Sequence, residues 1–239
     1  MRGKLVSIFG AGGSVGPSHF GGMPALPFRA TQRCPPARAL AVAAAYHGAM
    51  PRIPLFPSAS MDAAQQAVLD KIVSGPRGRI QGPLRAALHN PELADKWQAL
   101  GALLRYGTSL PPRLSEIAIL VTGRACRSPF EWYAHRIEGE RAGLEAEFIQ
   151  ALLVQAEPPG MSEDDAAAWR YAVELNRYKS VSGSTYQAAL ARFGEKGVVE
   201  LTALVGYYTM VAMTLNCHEI PLPEGVEPDF LLPQQEELK

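Results

Sequence analysis

Cysteine is scarce in this 239-residue chain. The three cysteines, at positions 34, 126 and 217, are too few for a disulfide framework, and no metal-type CxxC pair occurs. An excess of one charge is also missing. Lys+Arg 23 balances Asp+Glu 23, which argues against a general nucleic-acid binder, whose affinity comes from neutralising phosphates. The longest uncharged helical run, Leu201 to Asn216, is shorter than the ~20 residues that cross a bilayer. No segment alternates with period two for long enough to make a convincing strand. What is present is 47% hydrophobic sequence with 19% charged residues, enough to bury a sizeable core. The expectation is a soluble, cytoplasmic globular protein with neither nucleic acid nor membrane as partner.

Acids are missing from the first quarter of the chain. Asp62 is the first, preceded by Arg2, Lys4, Arg29, Arg33, Arg38 and Arg52. Residues 1–49 are rich in Gly, Pro and Ala and show no sustained period, so they are expected to bury no core of their own. A transit peptide would be Arg-rich and acid-poor in this way, which keeps organelle targeting open. A secretory signal lacks its apolar run here. Translated sequence upstream of a start at Met50 fits best, leaving 50–239 as one domain with a Pro-rich tail. The stretch Gly10-Ala11-Gly12-Gly13-Ser14-Val15-Gly16 imitates a dinucleotide loop. The sixth position is Val15, prolines forbid a long helix after it, and no acid follows at the required distance. No cofactor is expected.

The remainder reads as helices, so the expected fold class is all-α. Met61–Ser74 has apolar residues at helical spacing and ends at Gly75-Pro76. Gly75–Pro83 is a loop with three glycines and two basic residues, and Pro83–His89 a short helix. Asn90 caps a helix that Pro91 opens and Gly107 closes. Pro112–Ala125 follows, then a helix from Ser128-Pro129 to about Ala142, then Glu145–Gln155 and Ser162–Tyr178. Ser162 with Asp165 resembles a capping box. Ser182–Phe193 and about Glu195–Asn216 complete the set. The tail after Glu219, with four prolines, is expected to run extended against the domain or another subunit. Such connections are short enough for antiparallel neighbours.

Two helices carry candidate chemistry. Glu116 precedes the apolar run Ile117–Val121, and a carboxylate there is either a first-turn residue favoured by the helix dipole or a buried proton carrier. Glu131 and His135 lie at i and i+4 on one face. A carboxylate beside an imidazole orients it and raises its basicity, as a general base requires; a surface pair of little consequence is the bland alternative. Glu131, His135 and one of Glu116, His218 or Glu219 would be a minimal metal set, but HExxH is absent and no metal is expected. Cys126 and Cys217 each follow a helix and could be inert buried thiols. Tyr207, Tyr208 and Asn216 stand on an apolar helix, where core packing is the default, with Asn216 closing the helix end.

Taken in order, Gly82-Pro83-Leu84, His89-Asn90-Pro91-Glu92-Leu93-Ala94, Leu103-Leu104-Arg105-Tyr106, Leu110-Pro111-Pro112-Arg113, Glu116-Ile117-Ala118-Ile119-Leu120, Glu131-Trp132-Tyr133-Ala134-His135, Ala142-Gly143-Leu144 and Leu215–Pro223 resemble the carboxymuconolactone decarboxylase family of the AhpD-like (alkylhydroperoxidase D) superfamily. The resemblance spans about residues 50–225. It implies an AhpD-like helical bundle built around an antiparallel helical hairpin, assembled as homotrimers or homohexamers. The peroxidase branch spaces Glu, Cys, Cys and His as Glu116, Ser128, Glu131 and His135 are spaced here. Both cysteines are replaced, so thiol peroxidase chemistry, which needs an activated thiolate pair, is put in doubt.

The decarboxylase branch implies a cofactor-independent lyase acting on a small carboxylated lactone or related organic acid. Under that resemblance His135 is the proton donor and acceptor, Glu131 its orienting carboxylate and Glu116 a second relay carboxyl. Arg105 would grip a substrate carboxylate, with Tyr106, Trp132 and Ser128 as further lining candidates. Two alternatives stand beside this reading: a divergent redox protein using Cys126 or Cys217, and a non-catalytic member that binds a small ligand.

Overall fold

The computed structural model describes residues 50–232. The readings of residues 1–49, the glycine-rich stretch among them, lie outside the described residues. So does the end of the tail. Among the described residues there are eight helices and no strand, which agrees with the all-α expectation. They are α1 (Ala63–Ser74), α2 (Pro83–Ala87), α3 (Pro91–Tyr106), α4 (Pro112–Ala125), α5 (Pro129–Arg141), α6 (Ala146–Leu153), α7 (Glu163–Tyr178) and α8 (Gly183–Cys217).

Local chemistry sets most of the boundaries. Asp62 and Gln65 form a capping box at the start of α1, and Ser162 and Asp165 do the same for α7. Each pair satisfies two backbone N–H groups that the first helical turn leaves free. The Asn90 side chain accepts from the Leu93 amide at 3.1 Å, and prolines occupy the first position of α2, α3, α4 and α5, where a missing N–H costs nothing.

The two final helices expected from the sequence are both present, and the run Gly183–Cys217 consists of two helices that meet at a kink at Gly194. Gly194 has φ 64 and ψ −179, a conformation that side chains with a Cβ avoid, so the chain turns there and resumes. By length and composition α8 could cross a membrane, but 50% of its most apolar window is buried inside the protein, as in a core helix.

Helix α4 is the centre of the molecule. Leu114 through Gly123 are all buried, because α5, α7 and α8 pack around it and α6 covers one end. A helix apolar on every side is stable only when so enclosed. The helices α4 and α5 form a hairpin, turned by Cys126, Arg127 and Ser128. Asn216 does not close its own helix: its Nδ2 donates to the Cys126 carbonyl at 2.8 Å, so α8 caps the end of α4. The tail runs without helix across the hairpin. The Trp132 indole N–H donates to Asp229 Oδ2 at 3.0 Å, Phe230 meets the Trp132 ring edge-on, and Arg124 lies over Phe230 at 4.7 Å.

Candidate active site

The hairpin brings Glu116 of α4 opposite His135 of α5. Proline at the start of each helix fixes where its turns begin, and the antiparallel pairing then sets 116 against 135. His135 Nδ1 is 2.7 Å from Glu116 Oε2, and its Nε2 is 3.1 Å from Glu131 Oε1. All three are buried. Both ring nitrogens are therefore engaged by carboxylates, and an imidazolium donating to each satisfies the whole arrangement. Burial alone would lower the His135 pKa. The charges and hydrogen bonds of the two carboxylates outweigh burial and hold it up to about 9, against an ordinary 6.5. At neutral pH the site is a stored proton between two carboxylates.

Tyr208 of α8 covers the imidazole edge-on, with ring centroids 4.8 Å apart and planes at 83°. Burial pushes its phenol well above the ordinary range, so it is a neutral donor wherever the histidine is charged. Beyond Tyr208 stands Arg105, at the end of α3. Burial pulls its guanidinium down, but Tyr208, Tyr106, Glu116 and Glu138 outweigh that and raise it. Glu131, His135 and Glu138 follow one stripe of α5, and the stripe emerges into a cleft of about 140 Å³ lined by Arg77, Arg79, Gln81, Arg105, Tyr106 and Glu138.

The structure thus joins Glu116, Glu131 and His135 in one hydrogen-bonded triad and sets Arg105 and Tyr106 in the adjacent cleft. It places the other two candidates differently. Ser128 is fully buried at the start of α5, and its Oγ has no partner among the described residues. Trp132 is 1% exposed and its N–H is held by Asp229. Glu219 pairs with Arg52 at 2.5 Å rather than with the triad. The free thiols do not enter the triad: Cys217 is exposed, and Cys126 is half-buried with its thiol pushed up by burial.

Tyr208, Arg77 and Arg79 were not among the sequence candidates. Their signals were weak: two basic residues in the Gly75–Pro83 loop, and a tyrosine pair in an apolar helix.

The helical arrangement is the AhpD-like fold. Within that class the chain carries the carboxymuconolactone decarboxylase family match over residues 91–174, the segment from α3 into α7 that supplies the triad. A putative antioxidant defence protein AhpD from Agrobacterium tumefaciens is similar at 17% identity and TM-score 0.54, over 60% of this chain and 99% of that one. The debrominase Bmp8 is similar at 12% identity and TM-score 0.60, over 74% of this chain and 95% of that one. An uncharacterised peroxidase-related protein from Ralstonia eutropha JMP134, with an alkylhydroperoxidase AhpD core, is similar at 13% identity and TM-score 0.61, over 74% and 94%. At these identities the likeness is one of fold. No curated protein matches the sequence.

Proposed function

We propose that the protein is a cofactor-independent proton-transfer enzyme of the decarboxylase type, acting on a small carboxylated lactone or related organic acid. The observation that carries the reading is the buried Glu116–His135–Glu131 triad, a proton held between two carboxylates beside a cationic cleft. A β-carbonyl or β,γ-unsaturated acid loses carbon dioxide when its carbon–carbon bond breaks and the electron pair moves into the conjugated carbonyl. Arg105 grips a carboxylate that the substrate keeps, and the His135 imidazolium favours the resulting dienolate by its charge. The proton then passes from His135 through Glu116, the carboxylate that Arg105 senses, to the carbanion carbon, and water restores it to the imidazole. A thiol peroxidase has less support, since burial holds the Cys126 thiol above its ordinary pKa and an activated thiolate needs the opposite.

The test is carbon dioxide release from a carboxylated muconolactone and a panel of β-keto acids. Glu131→Gln is expected to lower turnover by roughly 10²–10⁴-fold while helical circular dichroism is kept. Full activity in folded Glu116→Gln and Glu131→Gln proteins, or no release from any acid of the panel by the unaltered chain, would overturn the assignment.

A further inference from the structure

The cleft beside the triad carries more positive charge than the proposed proton transfer uses. Arg77, Arg79 and Arg105 line it against a single carboxylate, Glu138, and that carboxylate also answers Arg141 at 2.8 Å. Among the described residues none of the three guanidinium groups has an ion-pair partner. Arg77 Nε and Nη2 and the indole Nε1 of Trp97, which is 6% exposed, are buried with the Tyr207 hydroxyl as their polar neighbour, and one phenol oxygen does not complete all three donors. A buried donor without a partner is costly, and a buried unpaired guanidinium more so. An anion in the cleft would complete the Arg77 donors.

The loop is shaped for this. Gly78 and Gly82 take positive φ of 65 and 54, and the loop delivers Arg77, Arg79 and Gln81, alternate residues, to the cleft. On α3 the residue facing Arg77 is Gly101. A Cβ at that position would run into the Arg77 guanidinium and the Tyr207 hydroxyl. The absence of a side chain at 101 lets both lie directly on the helix, one turn from Trp97 and one turn from Arg105.

We propose that Arg77, Arg79 and Arg105 form a binding site for a compact dianion, with the Gly75–Pro83 loop as its wall. Three guanidinium groups against one shared carboxylate leave a deficit of two negative charges, and each guanidinium offers the planar fork that matches carboxylate or phosphate oxygens. Acetate, with one charge, would leave the deficit half filled. If the lyase reading holds, on which this step of the inference rests, the dianion is the remote acidic end of the substrate and its reacting carbon lies toward Glu116. A dicarboxylate and a phosphate monoester share the required chemistry.

Isothermal titration calorimetry of the full chain with malonate, inorganic phosphate and acetate tests the site without any turnover. Malonate or phosphate is expected to bind at least roughly tenfold tighter than acetate, and binding is expected to weaken as salt rises. The tighter of the two identifies the head group as diacid or phosphate. Arg79→Gln, an exposed position that the fold does not need, and Arg77→Lys are each expected to weaken the dianion about tenfold, while Arg170→Gln, on the exposed face of α7, leaves it unchanged. Equal affinity for acetate and malonate, or unaltered affinity in Arg79→Gln and Arg77→Lys, would overturn the proposal. Tight dianion binding with no decarboxylation of any acid leaves the site standing and removes the lyase; decarboxylation without preference for dianions does the reverse.

Discussion

Replacing His135 by glutamine removes the positive charge set between Glu116 and Glu131, and the consequence for stability depends on pH in a defined way. The imidazole titrates near 6.5 in the unfolded chain and at about 9 in the folded one. A tenfold change in proton affinity is worth about 1.4 kcal/mol, so the folded state gains about 3 kcal/mol from holding this proton. The folded pKa is the higher one. The gain is therefore complete below pH ~6.5 and disappears as pH rises through about 9. Above that, two buried carboxylates face each other without a cation. The Cys126 thiol and the Tyr208 phenol, both pushed up by burial, are common to the two proteins, so their contributions cancel in the difference. Urea unfolding at half-unit steps from pH 6 to 9.5, on the unaltered chain and on His135→Gln, reads the difference directly. The unaltered chain should lose about 3 kcal/mol more than the variant over the interval. Two profiles that run parallel from pH 6 to 9.5 would show that the imidazole is neutral in the folded protein, and the stored-proton account would fail.

Gly101→Ala should lower stability by about 1–3 kcal/mol despite the better helix propensity of alanine, since its methyl meets the Tyr207 hydroxyl and the Arg77 guanidinium; a variant melting above the parent would refute the contact. Asn216→Ala should cost about 1 kcal/mol by leaving the Cys126 carbonyl without its donor, read as a shift in urea midpoint at constant slope. Light scattering at micromolar concentration is expected to show self-association, because Leu100, Leu103 and Tyr106 of α3 and Val199 and Met213 of α8 are large and exposed, with a homotrimer or a multiple of it as the order that the family resemblance implies. A clean monomer would contradict this.

Local sequence by itself determined the helices and half of the site. Asn90-Pro91, Pro111-Pro112, Ser128-Pro129 and the Ser162–Asp165 box act over a few residues, through backbone N–H groups that only a cap or a proline can settle, so their positions were legible without a fold. The pairing of Glu131 with His135 was legible for the same reason, as one helical turn joins them. Tertiary structure decided the rest. Glu116 reaches His135 across 19 positions of sequence only because α4 and α5 pack antiparallel with those turns in register. Asn216 caps a helix 90 residues away, and Asp229 holds Trp132 from 97. The arginine cleft needs the 75–83 loop folded back over α3, with Tyr207 of α8 seated on Gly101. Periodicity reports which face of a helix is apolar, but not which neighbour that face meets. The proton's high affinity for His135 arises from that meeting, since one carboxylate comes from the next helical turn and the other from a different helix.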